Sequence, residues 1–180
     1  MSAAAGPRLK PPVSDRDHAQ GPADAELTLV EYGDYECPHC GRAYPIVKAV
    51  QKRLGSRLRF VFRNFPLSNA HPHAQAAAEA AEAAGAQGQF WEMHDAIFEN
   101  QGALETDDLL RYAEDLGLDV DRFASELDRE VYGDRVRGDF RSGVRSGVNG
   151  TPTFFINGAR FDGSWDESGL LAALQAEGKD

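Results

Sequence analysis

The chain has 180 residues, 42% hydrophobic and 9% aromatic, enough for one globular domain or a core domain with a sizeable insertion. With 19 basic against 29 acidic residues its net charge is -10, which repels a phosphate backbone and argues against a general nucleic-acid-binding role. No run approaches the ~18 consecutive apolar residues of a membrane span, and the two cysteines, both in one motif, leave none for a structural disulfide framework.

Residues 1–24 read as a flexible arm, because Pro7, Pro11, Pro12, Gly21 and Pro22 punctuate them and no apolar period is present. Met1 to Gln20 lacks the apolar core of a signal peptide. A cytoplasmic protein is therefore expected if the chain is full length, and a periplasmic or extracytoplasmic one if a leader has been removed. Leu27 to Tyr32 is short, β-branched and aromatic, as a strand should be, and Gly33-Asp34 ends it.

From Pro38 onward, Tyr44, Val47, Val50 and Leu54 form a helical stripe; Pro38 suits the first turn, and Pro45 should kink the helix. Leu58 to Arg63 alternates as a second strand, completing a βαβ unit with parallel strands. Residues 71–129 carry helical patterns only: an alanine-rich run from Ala74 to Ala84, then Phe90 to Phe98, then Leu109 to Leu116 behind Thr106 as N-cap, then a short helix capped by Asp119.

Val131 to Val148 reads as a further helix despite Gly133, Gly138, Gly143 and Gly147, each costing ~1 kcal/mol relative to alanine. Arg137, Arg141 and Arg145 form a basic stripe on it, read as a solvated face, the alternative being a contact surface for an acidic peptide or for the chain's own acidic insertion. Thr153 to Ile156, Asn157-Gly158 and Ala159 to Phe161 make a hairpin with a type I′ turn. Ser164-Trp165-Asp166-Glu167 reads as a capping box for a last helix over Leu170, Leu171 and Leu174. The order is β-α-β, helical insertion, α, β-β-α, an α/β chain with a core at 25–70 and 130–180 interrupted by a helical domain at 71–129.

Cys37-Pro38-His39-Cys40 lies where the first strand ends and the helix begins. Thiols at i and i+3 can close a disulfide with little backbone movement. The first also sits where free backbone N–H groups and the positive end of the helix dipole stabilise a negative sulfur. Thiols so placed have pKa values of roughly 3.5 to 7.5, against ~8.5 for a free one. A depression of ~3 units is worth ~4 kcal/mol and makes the couple more oxidising by roughly 90 mV.

Cys37, at the helix tip, is expected to be the exposed nucleophile, and Cys40, one turn in, the buried resolving thiol. Pro38 restricts the turn and His39 places positive charge near the sulfur, while Glu36 opposes it unless it points to solvent. Glu31 can take the Cys40 proton if it points under the helix. Zinc is an alternative, with His71-Pro72-His73 as the candidate completion of four ligands; two inert thiols are another. His18, His71, His73 and His94 read as surface or helix-packing residues, paired with no serine or second acid.

With these residues in place, the sequence resembles the thioredoxin superfamily and, within it, the DsbA-like thiol-disulfide oxidoreductases. The strand followed by CPHC carries the Pro-His dipeptide of DsbA, Pro45 matches the helix-kinking proline of thioredoxin, and Glu31 matches the buried acid of both. Gly150-Thr151-Pro152-Thr153 matches the cis-proline loop, which in the family lies against the active-site disulfide and pairs with an extended substrate. Thr151 stands where DsbA itself has valine and resembles the isomerase and reductase branches.

The resemblance covers about residues 25–177 and implies a thioredoxin fold with an inserted all-helical domain and a redox disulfide between Cys37 and Cys40. It further implies tuning by Pro38, His39 and Glu31, and substrate docking on Thr151 and Pro152. Expected partners are protein thiols and disulfides and an unidentified electron donor or acceptor, with no metal or organic cofactor and a monomeric protein. Dithiol oxidation is the expected direction. The alternatives are a disulfide reductase or isomerase in a reducing compartment and a redox-sensing or zinc-binding interaction module.

Overall fold

The structure, a computed structural model, describes residues 6–178. Five strands and seven α-helices follow in the order β1 (His18–Gln20), β2 (Leu27–Gly33), α1 (Pro38–Leu54), β3 (Leu58–Asn64), α2 (Ala74–Ala86), α3 (Phe90–Phe98), α4 (Thr106–Asp115), α5 (Val120–Asp128), α6 (Gly133–Arg145), β4 (Thr153–Ile156), β5 (Ala159–Phe161) and α7 (Glu167–Glu177). The chain divides into two compact units. One comprises the described residues up to Gly33, Arg42–Arg63 and those from Arg141 on; the other comprises Asp34–Gly41 and Asn64–Phe140. Boundaries drawn at 71 and 129 therefore differ from the units, because the helical unit reaches from Asn64 to Phe140 and also takes in the cysteine segment.

The first unit is built on one sheet with strand order β1-β3-β2-β4-β5. Its central strand β2 buries Leu27, Leu29, Val30 and Tyr32. Burial of successive residues means that both faces are covered, since side chains alternate across a strand. Val47, Val50 and Leu54 of α1 and Leu170 and Leu174 of α7 belong to the same core. β4 runs antiparallel to β2, with Tyr32 opposite Thr153 and Glu31 opposite Phe154. The β4–β5 hairpin forms as its turn chemistry requires, with φ of 47° at Asn157 and 82° at Gly158. Position 33, the last of β2, takes glycine because a Cβ there would meet the Phe62 ring at 2.4 Å.

Two capping expectations are corrected. Glu105, not Thr106, precedes α4, and its amide donates to Asp108. Asp166 caps α7 by accepting from the Gly169 amide at 2.7 Å, so the capping box expected to start at Ser164 is replaced by an aspartate cap two residues later. Asp119 caps α5 as expected, accepting from the Arg122 amide.

The flexible arm is also corrected for residues 6–24, while residues 1–5 lie outside the described part. β1 pairs antiparallel with β3, Leu9 is buried, and the Leu9 amide donates to the Gly158 carbonyl. The reason is a buried cation. Arg63 on β3 holds Asp17 through Nε and Nη2 at 2.8 and 3.0 Å and donates to the carbonyls of Pro11 and Pro12 and to the Tyr32 hydroxyl. Tyr32 in turn hydrogen-bonds Ser142 on α6. The guanidinium's donors are satisfied only if this segment stays folded over it.

The second unit packs helices around α2, whose buried Ala77, Ala78, Ala80, Ala81, Ala83 and Ala84 let α3, α4 and α5 approach closely. At one end of it Asn64 donates to both Asp139 and Glu82, and Arg135 lies 3.6 Å from Asp139. Burial pushes the Asp139 carboxyl up to about 6, a rise that Arg135 and the Asn64 hydrogen bonds only partly offset.

Arg63→Met should destabilise the protein by about 3–5 kcal/mol in urea unfolding, since Asp17 would remain buried without its cation. The segment around Pro11 and Pro12 should become open to proteolysis. A carboxyl whose folded-state value is raised binds its proton more tightly when folded, so stability should fall as pH rises from 3.8 through about 6. Asp139→Asn keeps an oxygen that can accept from Asn64 and should flatten that fall, worth ~3 kcal/mol, in urea titrations across the window.

Candidate active site

The cysteine segment Asp34–Gly41 belongs to the helical unit, and one carboxylate organises it. Asp34 follows Gly33 at the end of β2, and its side chain is fully buried. Oδ1 accepts from the amides of Glu36 at 2.8 Å and Cys37 at 3.2 Å, the geometry of an aspartate holding the start of a helix. Oδ2 accepts from the Leu67 amide and bonds His71 Nδ1, both at 2.8 Å. The Asp34 amide itself donates to Cys40 Sγ at 3.4 Å. One residue thus holds the backbone of the first cysteine and the sulfur of the second.

Cys40 is fully buried as expected, but Cys37 is only 3% exposed, so its expected exposure is corrected. Gln101 donates through Nε2 to the carbonyls of Tyr35 and Cys37, both at 2.9 Å. Tyr35 is buried against His94 and Phe98, its hydroxyl 2.9 Å from His94 Nδ1. His94 is accordingly a buried packing residue, its ring against Tyr35 of the cysteine segment and Phe98 of its own helix. A Cβ at Gly41 would lie 2.0 Å from Gln101 Oε1, so any larger residue there must displace that side chain.

Glu36, whose direction the motif left open, is turned toward α2. Its carboxylate accepts from the His73 amide at 2.6 Å, at the start of α2, and bonds His73 Nδ1 at 2.7 Å. His73 Nε2 bonds Glu105 at 2.9 Å. His71 and His73 are therefore not solvated residues lacking an acid; each is held by a carboxylate of the cysteine segment. Burial pulls the His71 imidazolium down, but the bond and charge of Asp34, with the charges of Cys37 and Glu36, outweigh it and raise its pKa. His73 is raised by its bonds to Glu36 and Glu105.

Pro38 and His39 are exposed in the first turn of α1, and α1 runs through Pro45. Glu31 and the Thr151-Pro152 pair belong to the other unit. Glu31 is buried on β2 opposite Phe154, and the cis Thr151-Pro152 bond immediately precedes β4. Among the described residues, no cluster of three or more His, Cys, Asp or Glu side chains is placed to hold a metal ion. Sequence reasoning missed Asp34 and Gln101. Asp34 had a signal, an aspartate three residues before a cysteine at a helix start; Gln101, distant in sequence, had none.

Gly41→Ala should displace Gln101 and cost about 1–2 kcal/mol in urea unfolding. In a Gln101→Ala background the same substitution should cost much less, so the two should be non-additive in a double-mutant cycle.

Comparison with known proteins agrees with this architecture. The family described as thioredoxin matches residues 14–176. The Na(+)/H(+) antiporter NhaA 1 of Salinispora arenicola is 51% identical over 160 residues, which cover 89% of this chain and 24% of that protein. The chain thus spans about a quarter of the length of the curated relatives it matches. Among solved structures, oxidised BdbD of Bacillus subtilis aligns with a TM-score of 0.84 at 23% identity, over 98% of each chain. DsbA2 of Pseudomonas aeruginosa aligns with a TM-score of 0.71 at 28% identity, over 91% of this chain and 96% of that one. No described helix is long and apolar enough to cross a membrane. A thioredoxin match over most of the sequence, a cysteine pair at the start of α1 and a structural likeness to DsbA2 lead to one conclusion: the chain belongs to the thioredoxin family, and its structure is similar to those of DsbA-like proteins.

Proposed function

We propose that the chain is a thiol-disulfide oxidoreductase acting on protein thiols through Cys37 and Cys40, and that it runs as a dithiol oxidase. The observation that carries this reading is the shared support of the two cysteines: Asp34 fixes the Cys37 amide while its own amide donates to Cys40 Sγ. In the oxidised state a substrate thiolate attacks Cys37 Sγ, the S–S bond breaks, and Cys40 leaves as a thiolate that takes up a proton. A second substrate thiolate then attacks the substrate sulfur of the mixed disulfide and releases Cys37 as a thiolate. An electron acceptor reoxidises the pair.

Cys37 lies at the N-terminus of a 17-residue helix, where the dipole favours the thiolate it must form. His39 and Pro38 in the same turn tune that sulfur, Glu31 relays the Cys40 proton, and Thr151-Pro152 docks the substrate backbone. The exchange is sulfur chemistry throughout and calls on no cofactor. An oxidase of this kind belongs in an oxidising, extracytoplasmic compartment. A second reading, favoured by threonine at 151, is a reductase or isomerase kept reduced by a cytoplasmic donor.

The reduction potential separates these. An oxidase should lie well above the cytosolic glutathione poise of roughly -220 to -320 mV, and a value within or below that range would establish the second reading. Cys40→Ser should accumulate mixed disulfides with several client proteins on non-reducing gels, and Cys37→Ser none. Capture of a single partner, or of none, would replace catalysis by redox sensing.

A further inference from the structure

The groups around Cys37 do more than hold it. Asp34 places a buried carboxylate directly on the backbone of the residue whose sulfur must become negative, and an uncompensated charge there opposes the thiolate. Leu67 and His71 meet the other oxygen of the same carboxylate, and of these two only His71 can carry charge. The turn that presents it is short: the amides of Ala70 and His71 both donate to the Leu67 carbonyl, so the turn is anchored on Asp34 at its two ends. The His71 side chain is 20% exposed, enough to exchange a proton with solvent, whereas Asp34 is sealed.

We propose that His71 is a positioning residue that takes up a proton when the Cys37–Cys40 pair is reduced and releases it when the disulfide forms, acting on Cys37 through Asp34. The inference rests on the redox reading above. The balanced step begins with the disulfide and a neutral His71. A substrate dithiol supplies two electrons and two protons and becomes a disulfide; the Cys37–Cys40 bond breaks; one proton goes to Cys40 Sγ, the other to His71, and Cys37 remains as the thiolate.

The groups facing His71 are Asp34, Glu36 and Cys37, all from the segment ahead of and entering α1. A thiolate at Cys37 favours the imidazolium, and by reciprocity the imidazolium favours the thiolate. His73, two residues on, differs: Glu36 and, at the start of α4, Glu105 face it, and its bonds are to those carboxylates. His73 therefore serves as an internal control in the same loop.

The test follows the imidazole resonances of the intact chain by NMR across pH, once oxidised with diamide and once reduced with dithiothreitol. His71 should titrate higher in the dithiol than in the disulfide form by about one pH unit, as for the gain of a nearby opposite charge. His73 should move much less. Equal His71 midpoints in the two forms, or an equal shift at His73, would overturn the proposal. Independently, His71→Asn, which can still donate to Asp34, should reduce the thiolate fraction read at 240 nm about tenfold at a given pH below its midpoint, one pKa unit. An unchanged thiolate titration in folded His71→Asn would also overturn it.

Because diamide and dithiothreitol set the redox state directly, the titration does not require turnover. A wild type that cycles between dithiol and disulfide but oxidises no peptide dithiol defeats the functional reading and leaves the His71 coupling standing on its own measurement. A pair that cannot form a disulfide defeats both.

Discussion

The buried carboxylate of Asp34 is the contact on which the cysteine segment depends. Taking a carboxylate out of water is costly unless hydrogen bonds and a counter-charge replace its hydration. Asp34 meets that cost with three amides and an imidazole, and every one of these donors belongs to a segment that must be placed for function: Glu36 and Cys37 at the entrance to α1, Leu67 and His71 in the turn before α2. Satisfying one buried group therefore organises the backbone around both thiols.

The same logic governs the other buried charges. Arg63 spends its donors on Asp17, Tyr32 and the carbonyls of Pro11 and Pro12, and in doing so turns a proline-rich, aperiodic N-terminal stretch into part of the sheet-bearing unit. Glu36 and Glu105 share His73, which ties the cysteine segment to the start of α4 within the helical unit. Alternating acids and imidazoles beside the thiols offset one another, so the local charge follows the protonation of two histidines.

Much of the fold was legible in the sequence because it rests on local physics. The α2 run of alanines, the Asp119 cap, the Asn157-Gly158 turn and the stripe of Val47, Val50 and Leu54 each encode their element within a few residues. β1 was not legible: His-Ala-Gln has no strand signature and pairs because β3 offers an edge and Arg63 anchors the neighbouring Asp17. The α7 cap was misplaced by two residues because Ser164 and Asp166 are both competent caps, and only the observed backbone distinguishes them.

For the site, Cys37-Pro38-His39-Cys40 at a strand-to-helix junction carries the signal for the sulfur chemistry proposed, since spacing, helix dipole and thiol identity are local properties. The surroundings of those sulfurs could not be read the same way. Asp34, His71, His73 and Gln101 are separated by up to 67 positions, and their partners depend on which loops meet. The sequence by itself determined that two thiols sit at a helix start within a thioredoxin-like chain. Only the tertiary structure decided which charges face them, because a buried carboxylate takes whichever donors the fold brings within hydrogen-bonding distance.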